Sequence, residues 1–244
     1  MKVVILAGGR GSRLGEAASG RPKALVEIAG VPVIERVMAI YAAYGHTDFI
    51  VATGFRADQI SNHFEESPSI DARCVGSRAN WSVDCVDTGA LTATGGRIKR
   101  LASQIGGEPF MLTWTDGLAD LEVDRLLSFH RSHGKLATVT AVRPPPRFGH
   151  LLIEGSRVSA FEEKPEAREG WINGAFFVLE PGVLDYIDGD DTAFERGPLP
   201  ALARDGQLMA YRHEGRWNCL DTPADVEAME TLAHDGILPG PARQ

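Results

Sequence analysis

Residues 2–7, KVVILA, form a short, β-branched apolar run that Gly8, Gly9 and Gly11 cut off at once. A run of that length, apolar at consecutive positions and closed by glycine, reads as a buried strand. Similar short runs return at 48–53 (DFIVAT), 82–87 (SVDCVD), 110–114 (FMLTW) and 136–142 (LATVTAV). Residues 33–44, 57–66, 95–105 and 122–133 lie between or beside them and read as helices, with Gly45 and Gly134 placed to stop two of them. Strand and helix in alternation predict an α/β fold: a Rossmann-like, mostly parallel mixed sheet with helices on both faces.

The texture changes after residues 143–149, RPPPRFG. Residues 151–164 predict a hairpin around Gly155 and Ser156, 172–179 a further apolar strand, 208–221 a strand pair, and about 223–234 a final helix. No internal repeat is visible, nor a linker long enough to separate independent units. The chain of 244 residues is expected to form one domain, 1–244, whose second half extends the sheet of the first.

Charge narrows the partners. Lys and Arg total 25 against 33 Asp and Glu, a formal net charge of −8, which argues against nucleic acid or an anionic membrane surface as a general partner. Up to Ala24 the balance is reversed: Lys2, Arg10, Arg13, Arg21 and Lys23 face one anion, Glu16. A cationic patch in an acidic chain points to a small anionic ligand. Cys74, Cys85 and Cys219 show no metal-ligand or redox spacing, and the seven histidines show none either. No apolar run approaches the roughly 18 residues of a membrane span, and a cytoplasmic protein is expected.

The loop LAGGRGSRLG (6–15) lacks the G-x-x-x-x-G-K-[ST] of a P-loop. It starts a G-x-G-x-x-G fingerprint at Gly9 and Gly11 but has Leu14 at the sixth position, so a nicotinamide-dependent dehydrogenase is disfavoured. Taken alone, such a loop could be no more than a tight strand-to-helix turn with solvated arginines. Glycines after a sheet strand also let backbone N–H groups approach phosphate oxygens, and arginine adds a bidentate charged fork.

The loop together with RPKALVEIAGVP (21–32) resembles the signature of the sugar-1-phosphate nucleotidyltransferases. The resemblance continues through VDTGALTATGGRIKR (86–100), TDGLAD (115–120), FEEKP (161–165), GWINGAFFVLEP (170–181) and DGQLMAYRHEGRWNCLDT (205–222), and within that family it is strongest to the glucose-1-phosphate cytidylyltransferases. It implies the nucleotide-diphospho-sugar transferase fold, with about 1–145 as the nucleotide-binding half and about 146–244 as the sugar-phosphate-binding half and C-terminal helix. The implied reaction joins CTP and α-D-glucose 1-phosphate to give CDP-glucose and pyrophosphate, with Mg²⁺ as cofactor and a homo-oligomer as the expected assembly.

By the same resemblance, Arg13 and Lys23 are the catalytic cations. Leu6, Ala7, Gly8, Gly9, Gly11, Ser12, Arg13, Lys23, Thr94, Gly95 and Gly96 bind the nucleotide. Glu163, Lys164, Asn173 and Gly174 bind the sugar phosphate, and Asp116 and Asp221 hold the metal. Taken singly, each has a plainer reading: Lys23 a surface cation, Asp116 a turn residue, Thr94 a helix cap. Two alternatives stay open: the same chemistry with another nucleoside triphosphate or sugar 1-phosphate, and a non-catalytic nucleotide-sugar-binding relative. The joint presence of Arg13, Lys23, Asp116, Lys164 and Asp221 speaks against the second.

Overall fold

Val3–Leu6 (β1) is sealed from water: Val3, Val4 and Ile5 are wholly buried and Leu6 nearly so. Its alternate residues feed two separate cores. Val3 and Ile5 pack with the helix Val33–Ala42 (α1), through Val37, Met38 and Tyr41, while Val4 and Leu6 pack with Ile98, Leu101, Phe177 and Leu202 on the other face. Each large apolar side chain removed from water contributes about 1.5–3 kcal/mol, so a strand apolar on both faces is stable only between two layers of helices. A computed structural model describes residues 1–9, 11, 14–15, 20–66, 80–143, 150–154, 156–162 and 170–238.

The further strands are Glu27–Ile28 (β2), Val31–Pro32 (β3), Asp48–Thr53 (β4), Ser82–Asp87 (β5), Phe110–Trp114 (β6), Gly117–Ala119 (β7), Ala137–Val142 (β8), His150–Glu154 (β9), Arg157–Glu162 (β10), Ile172–Leu179 (β11), Leu208–Arg212 (β12) and Trp217–Cys219 (β13). Seven of them make one sheet in the order β12-β8-β11-β6-β1-β4-β5. The pairs β1/β4, β1/β6, β4/β5 and β8/β12 are parallel, and β11 alone runs antiparallel to its neighbours β6 and β8. The sheet is mixed and mostly parallel, as the alternation of elements predicts, and it takes strands from both halves of the chain.

Three local readings change. The helix expected over 95–105 is divided into Thr94–Arg100 (α3) and Ala102–Ile105 (α4), after Ala57–Glu66 (α2), with Leu101 outside helical geometry between them. The expected strand pair within 208–221 does not form: β12 continues the main sheet along β8, whereas β13 pairs with β7. The ladder β2/β3 and the helix Pro198–Arg204, both too short to show a period, were not foreseen. The hairpin β9/β10 forms as expected, with Gly155 of its turn outside the described residues.

The helix Val123–His133 (α5) is tied to the sheet by His130, which is buried. Its Nδ1 lies 2.8 Å from Thr138 Oγ1 in β8 and its Nε2 3.2 Å from Glu180 Oε1 just after β11; Thr138 also meets His133 Nε2 at 2.7 Å. Burial holds the His130 imidazole below its ordinary pKa, with Glu180 opposing. The unfolded chain, titrating near 6.5, therefore binds the proton more readily. Stability from this group is complete above about pH 6.5 and is lost as pH falls towards the depressed folded value. Melting temperatures measured from pH 7.5 to 5.5 should fall more steeply for the wild type than for His130→Gln; equal slopes would contradict the assignment.

Candidate active site

In parallel strands the carboxyl ends lie side by side, and β1, β4, β5 and β6 present theirs along one edge. The loop leaving β1 is held against β4: Ala7 N donates to Ala52 O at 2.9 Å, and Phe55 N to Gly8 O at 3.3 Å. Above this edge is a cavity of about 320 Å³. Leu6–Gly9, Gly11 and Leu14 line it from the loop, Thr92–Thr94 and Arg97 from the start of α3, Trp114–Asp116 from the end of β6, and Lys23 and Asp221 complete it.

Lys23 is the electrostatic centre. It opens a 3-10 turn, Lys23–Leu25, and its Nζ donates to Asp116 Oδ2 at 2.9 Å and to Asp221 Oδ1 at 2.8 Å. The three side chains are 14%, 24% and 25% exposed, so solvent screens the pairs incompletely. Burial alone would lower the Lys23 pKa, but the two carboxylates outweigh it and raise it. Gly11 makes the close packing possible: its φ is +60°, and a Cβ there would stand 3.0 Å from Lys23 Cβ.

Asp221 reaches this point through local pairing. In the β7/β13 ladder Cys219 stands opposite Gly117, and Leu220 N donates to Asp116 O at 2.8 Å. The helix Pro223–His234 (α7; Pro198–Arg204 being α6) then begins with a capping box between Thr222 and Asp225. Asp225 Oδ2 accepts from Asp221 N at 3.0 Å and from Thr222 N at 2.8 Å, which fixes the Asp221 backbone.

Ligand atoms of Asp116, Asp221 and Cys219 lie within 4.8 Å of one another. Two carboxylate oxygens fit a hard divalent cation such as Mg²⁺, which takes one or two protein carboxylates and fills its other positions with water and phosphate. Cys219 fits less well. Burial, and then the charges of Asp116 and Asp221, push its thiol up, so it keeps its proton at neutral pH. Sequence spacing missed Cys219 because the β7/β13 ladder, not proximity along the chain, brings it here.

Of the other residues singled out in the sequence, Leu6, Ala7, Gly8, Gly9, Gly11 and Thr94 line the cavity. Ser12, Arg13, Glu163 and Lys164 lie outside the described residues. Gly95 and Gly96 are not in the lining. They are buried against the 190–194 segment, where a Cβ on Gly95 would stand 2.7 Å from Thr192 O and one on Gly96 2.5 Å from Asp190 O. Their glycine character thus answers a close backbone approach. Thr94 does not cap its own helix in the expected way: its Oγ1 donates to Glu195 at 2.7 Å and accepts from Phe194 N at 2.8 Å. Asn173 and Gly174 stand off the cavity on β11; Asn173 Oδ1 accepts from Ala175 N, and Gly174 O accepts from Trp217 Nε1 of β13 at 2.9 Å. The sequence reading passed over Arg97, Thr92 and Trp114; the cation in TATGGRIKR was the signal that could have found the first.

A family model described as "Nucleotidyl transferase" matches residues 2–225. The chain belongs to this family. As a nucleotidyl transferase it is 41% identical to a glucose-1-phosphate cytidylyltransferase of Salmonella typhi over 252 residues, covering 98% of each chain. It is 33% identical to a mannose-1-phosphate guanyltransferase of Aspergillus oryzae, covering 92% of this chain and 62% of that protein. Among solved structures, a UDP-glucose pyrophosphorylase complexed with UDP-glucose superposes with a TM-score of 0.73 at 14% identity, covering 96% of this chain and 98% of that one, a likeness of fold. No helix among the described residues is long and apolar enough to cross a membrane.

Removing the Lys23 ammonium leaves two carboxylates facing each other in a half-buried site, which is destabilising. Lys23→Ala should therefore melt below the wild type in buffer without divalent ions. Added Mn²⁺ should raise its melting temperature by more than it raises that of the wild type. An equal Mn²⁺ response in the two proteins would mean that Lys23 does not compete for the carboxylates.

Proposed function

We propose that this nucleotidyl transferase moves the cytidylyl group of CTP onto α-D-glucose 1-phosphate. A phosphate oxygen of the sugar attacks the α-phosphorus, the bond from that phosphorus to the bridging oxygen of the β-phosphate breaks, and pyrophosphate leaves with the electron pair. One observation carries the reading: the 41% identity to the Salmonella typhi cytidylyltransferase runs over 98% of both chains. The convergence of the glycine loop with Lys23, Asp116 and Asp221 supports it.

Such a transfer asks little covalent chemistry of the protein; positioning and charge neutralisation carry it. In the proposed arrangement Gly8, Gly9 and Gly11 offer backbone N–H groups to the triphosphate and Arg13 grips its outer phosphates. Lys23 turns from the carboxylates towards the α-phosphate as anionic oxygens enter the cavity, and there stabilises the charge of the transition state. Asp116 and Asp221 would hold a divalent cation, with Mg²⁺ as the expected ion, which when bound would neutralise phosphate oxygens of both substrates. Lys164 holds the sugar phosphate, and Glu163 and Asn173 meet sugar hydroxyls, while Gly174, where a Cβ would stand 2.7 Å from Val142 Cγ1 and 2.9 Å from Thr140 O, lets β11 approach β8 closely.

Base choice must come from groups other than phosphate ligands, since all triphosphates share those. The wall formed by Thr92–Thr94 beside Ala7 is the candidate. A site built to accept from the cytosine amino group leaves a buried acceptor unpaired when uracil binds, worth roughly 1–3 kcal/mol, or about 5- to 150-fold. With glucose 1-phosphate, kcat/KM for CTP should exceed that for UTP by that margin, and a chelator should abolish turnover. Lys23→Ala should lower kcat by roughly two to three orders of magnitude while weakening nucleotide binding less. A triphosphate that outruns CTP with every sugar 1-phosphate tested would remove the cytidylyl assignment.

A further inference from the structure

Arg97 stands out because it is a buried cation that makes no ion pair among the described residues. It is 5% exposed; burial holds its guanidinium below its ordinary pKa, and Asp87, not in ion-pair contact with it, opposes that only in part. Its guanidinium instead meets three neutral acceptors: Nη1 donates to Thr53 O at 2.8 Å and Thr88 Oγ1 at 2.7 Å, and Nη2 to Gly8 O at 3.2 Å. Thr53 ends β4, Thr88 follows β5 and Gly8 follows β1. The junction is tighter still because Thr53 O also accepts the Thr88 hydroxyl at 2.7 Å and the Thr88 N–H at 3.0 Å. Arg97 therefore joins the carboxyl ends of three adjacent parallel strands, directly beneath the cavity it helps to line.

Two glycines make room for it. A Cβ on Gly8 would stand 2.1 Å from the guanidinium carbon, and one on Gly54 would stand 2.4 Å from Nη1 and 2.7 Å from Gly89 O. Burying a charged group on uncharged acceptors is costly. Sheet stability alone does not require it, because neutral side chains can fill such a layer at less cost. Its position supplies the reason. In a planar trans peptide the N–H points opposite to the C=O, and the structure has no cis peptide among its described residues. Fixing the Gly8 oxygen towards the sheet turns the Gly9 N–H away from it, at a residue around which a Cβ would meet nothing within 4 Å.

We propose that Arg97 is a positioning residue of the nucleotide site: by holding the Gly8 carbonyl oxygen against the ends of β4 and β5, its guanidinium aims the Gly9 N–H into the cavity, where the phosphates of a nucleoside triphosphate dock. The proposal deepens the nucleotidyl-transfer reading and rests on it. It acts on phosphates, so it makes no distinction between bases. Gly54, which is outside the cavity lining, belongs to the same device through the space it leaves.

The test uses the full-length enzyme with Arg97→Met, Arg97→Lys, Gly54→Ala and the near-isosteric Thr88→Val. For each, calorimetric Kd values for CTP, UTP and GTP are measured without turnover, then kcat and both KM values with CTP and glucose 1-phosphate, with melting temperature as a check of folding. Arg97→Met and Gly54→Ala should raise the CTP Kd and KM about tenfold or more, as expected for lost charged hydrogen bonds. The KM for glucose 1-phosphate should stay near the wild-type value, and Arg97→Lys should recover part of the loss. The fold-loss should be the same for all three triphosphates. Unchanged Kd values in folded Arg97→Met and Gly54→Ala would overturn the proposal. So would a loss confined to one base, which would make Arg97 a base contact. If those two variants unfold, Thr88→Val decides: a raised Kd shared by the three triphosphates supports the proposal, and a wild-type Kd overturns it. Wild-type failure to turn over CTP with glucose 1-phosphate would refute the assigned reaction, while the binding data would still judge Arg97.

Discussion

The Lys23 ammonium bridges Asp116 and Asp221, and much of the architecture serves to bring those three groups together. They come from three distant parts of the chain, 93 and 198 positions apart from the lysine. β1 and β6 are neighbours in the sheet, so the loop after one and the aspartate after the other open on the same edge. The β7/β13 ladder then brings the far end of the chain to that edge, and the Thr222–Asp225 capping box holds it there. Two carboxylates set this close repel each other unless a cation lies between them. In this structure the protein supplies that cation itself.

The same arrangement explains how an acidic protein can receive polyanions. The formal charge of −8 describes the whole surface, but the cavity holds Lys23 and Arg97 close to backbone N–H groups at the carboxyl ends of the strands. Arg97 is hydrogen-bonded to carbonyl and hydroxyl oxygens, and Asp87 attracts it without forming an ion pair, so its positive charge is only partly offset. Lys23 is balanced by two negative charges that a divalent cation could equally well balance. Charge in this site can therefore be rearranged by the ligands, which suits a reaction whose main demand is neutralisation of phosphate oxygens.

The parallel strands were legible because burial on both faces leaves a continuous apolar run; KVVILA and FMLTW can be read by eye. The β7/β13 ladder was not legible. Its strands have three residues each, too few for a period, and their partners are about a hundred positions apart. For the same reason 208–221 reads as a strand pair, although His213 N donates to Ala141 O and so carries the first half along β8 before the chain leaves the main sheet. The candidate site was legible where the motif was specific, at the glycine loop, Lys23, Asp116 and Asp221. At Gly95 and Gly96 a glycine signals close approach without saying of what: the space a Cβ would take there is filled by the backbone of 190–194. Arg97 was hidden beside them, since a buried arginine held by neutral acceptors leaves no complementary charge pattern in sequence.

Anomalous diffraction from crystals holding Mn²⁺ and an unreactive CTP analogue tests the shared role of Lys23, Asp116 and Asp221 most directly. The account predicts a Mn²⁺ peak bound by both carboxylates, with Lys23 Nζ moved from them onto the α-phosphate. A Mn²⁺ peak away from Asp116 and Asp221, or a Lys23 that still bridges them with the nucleotide in place, would contradict it.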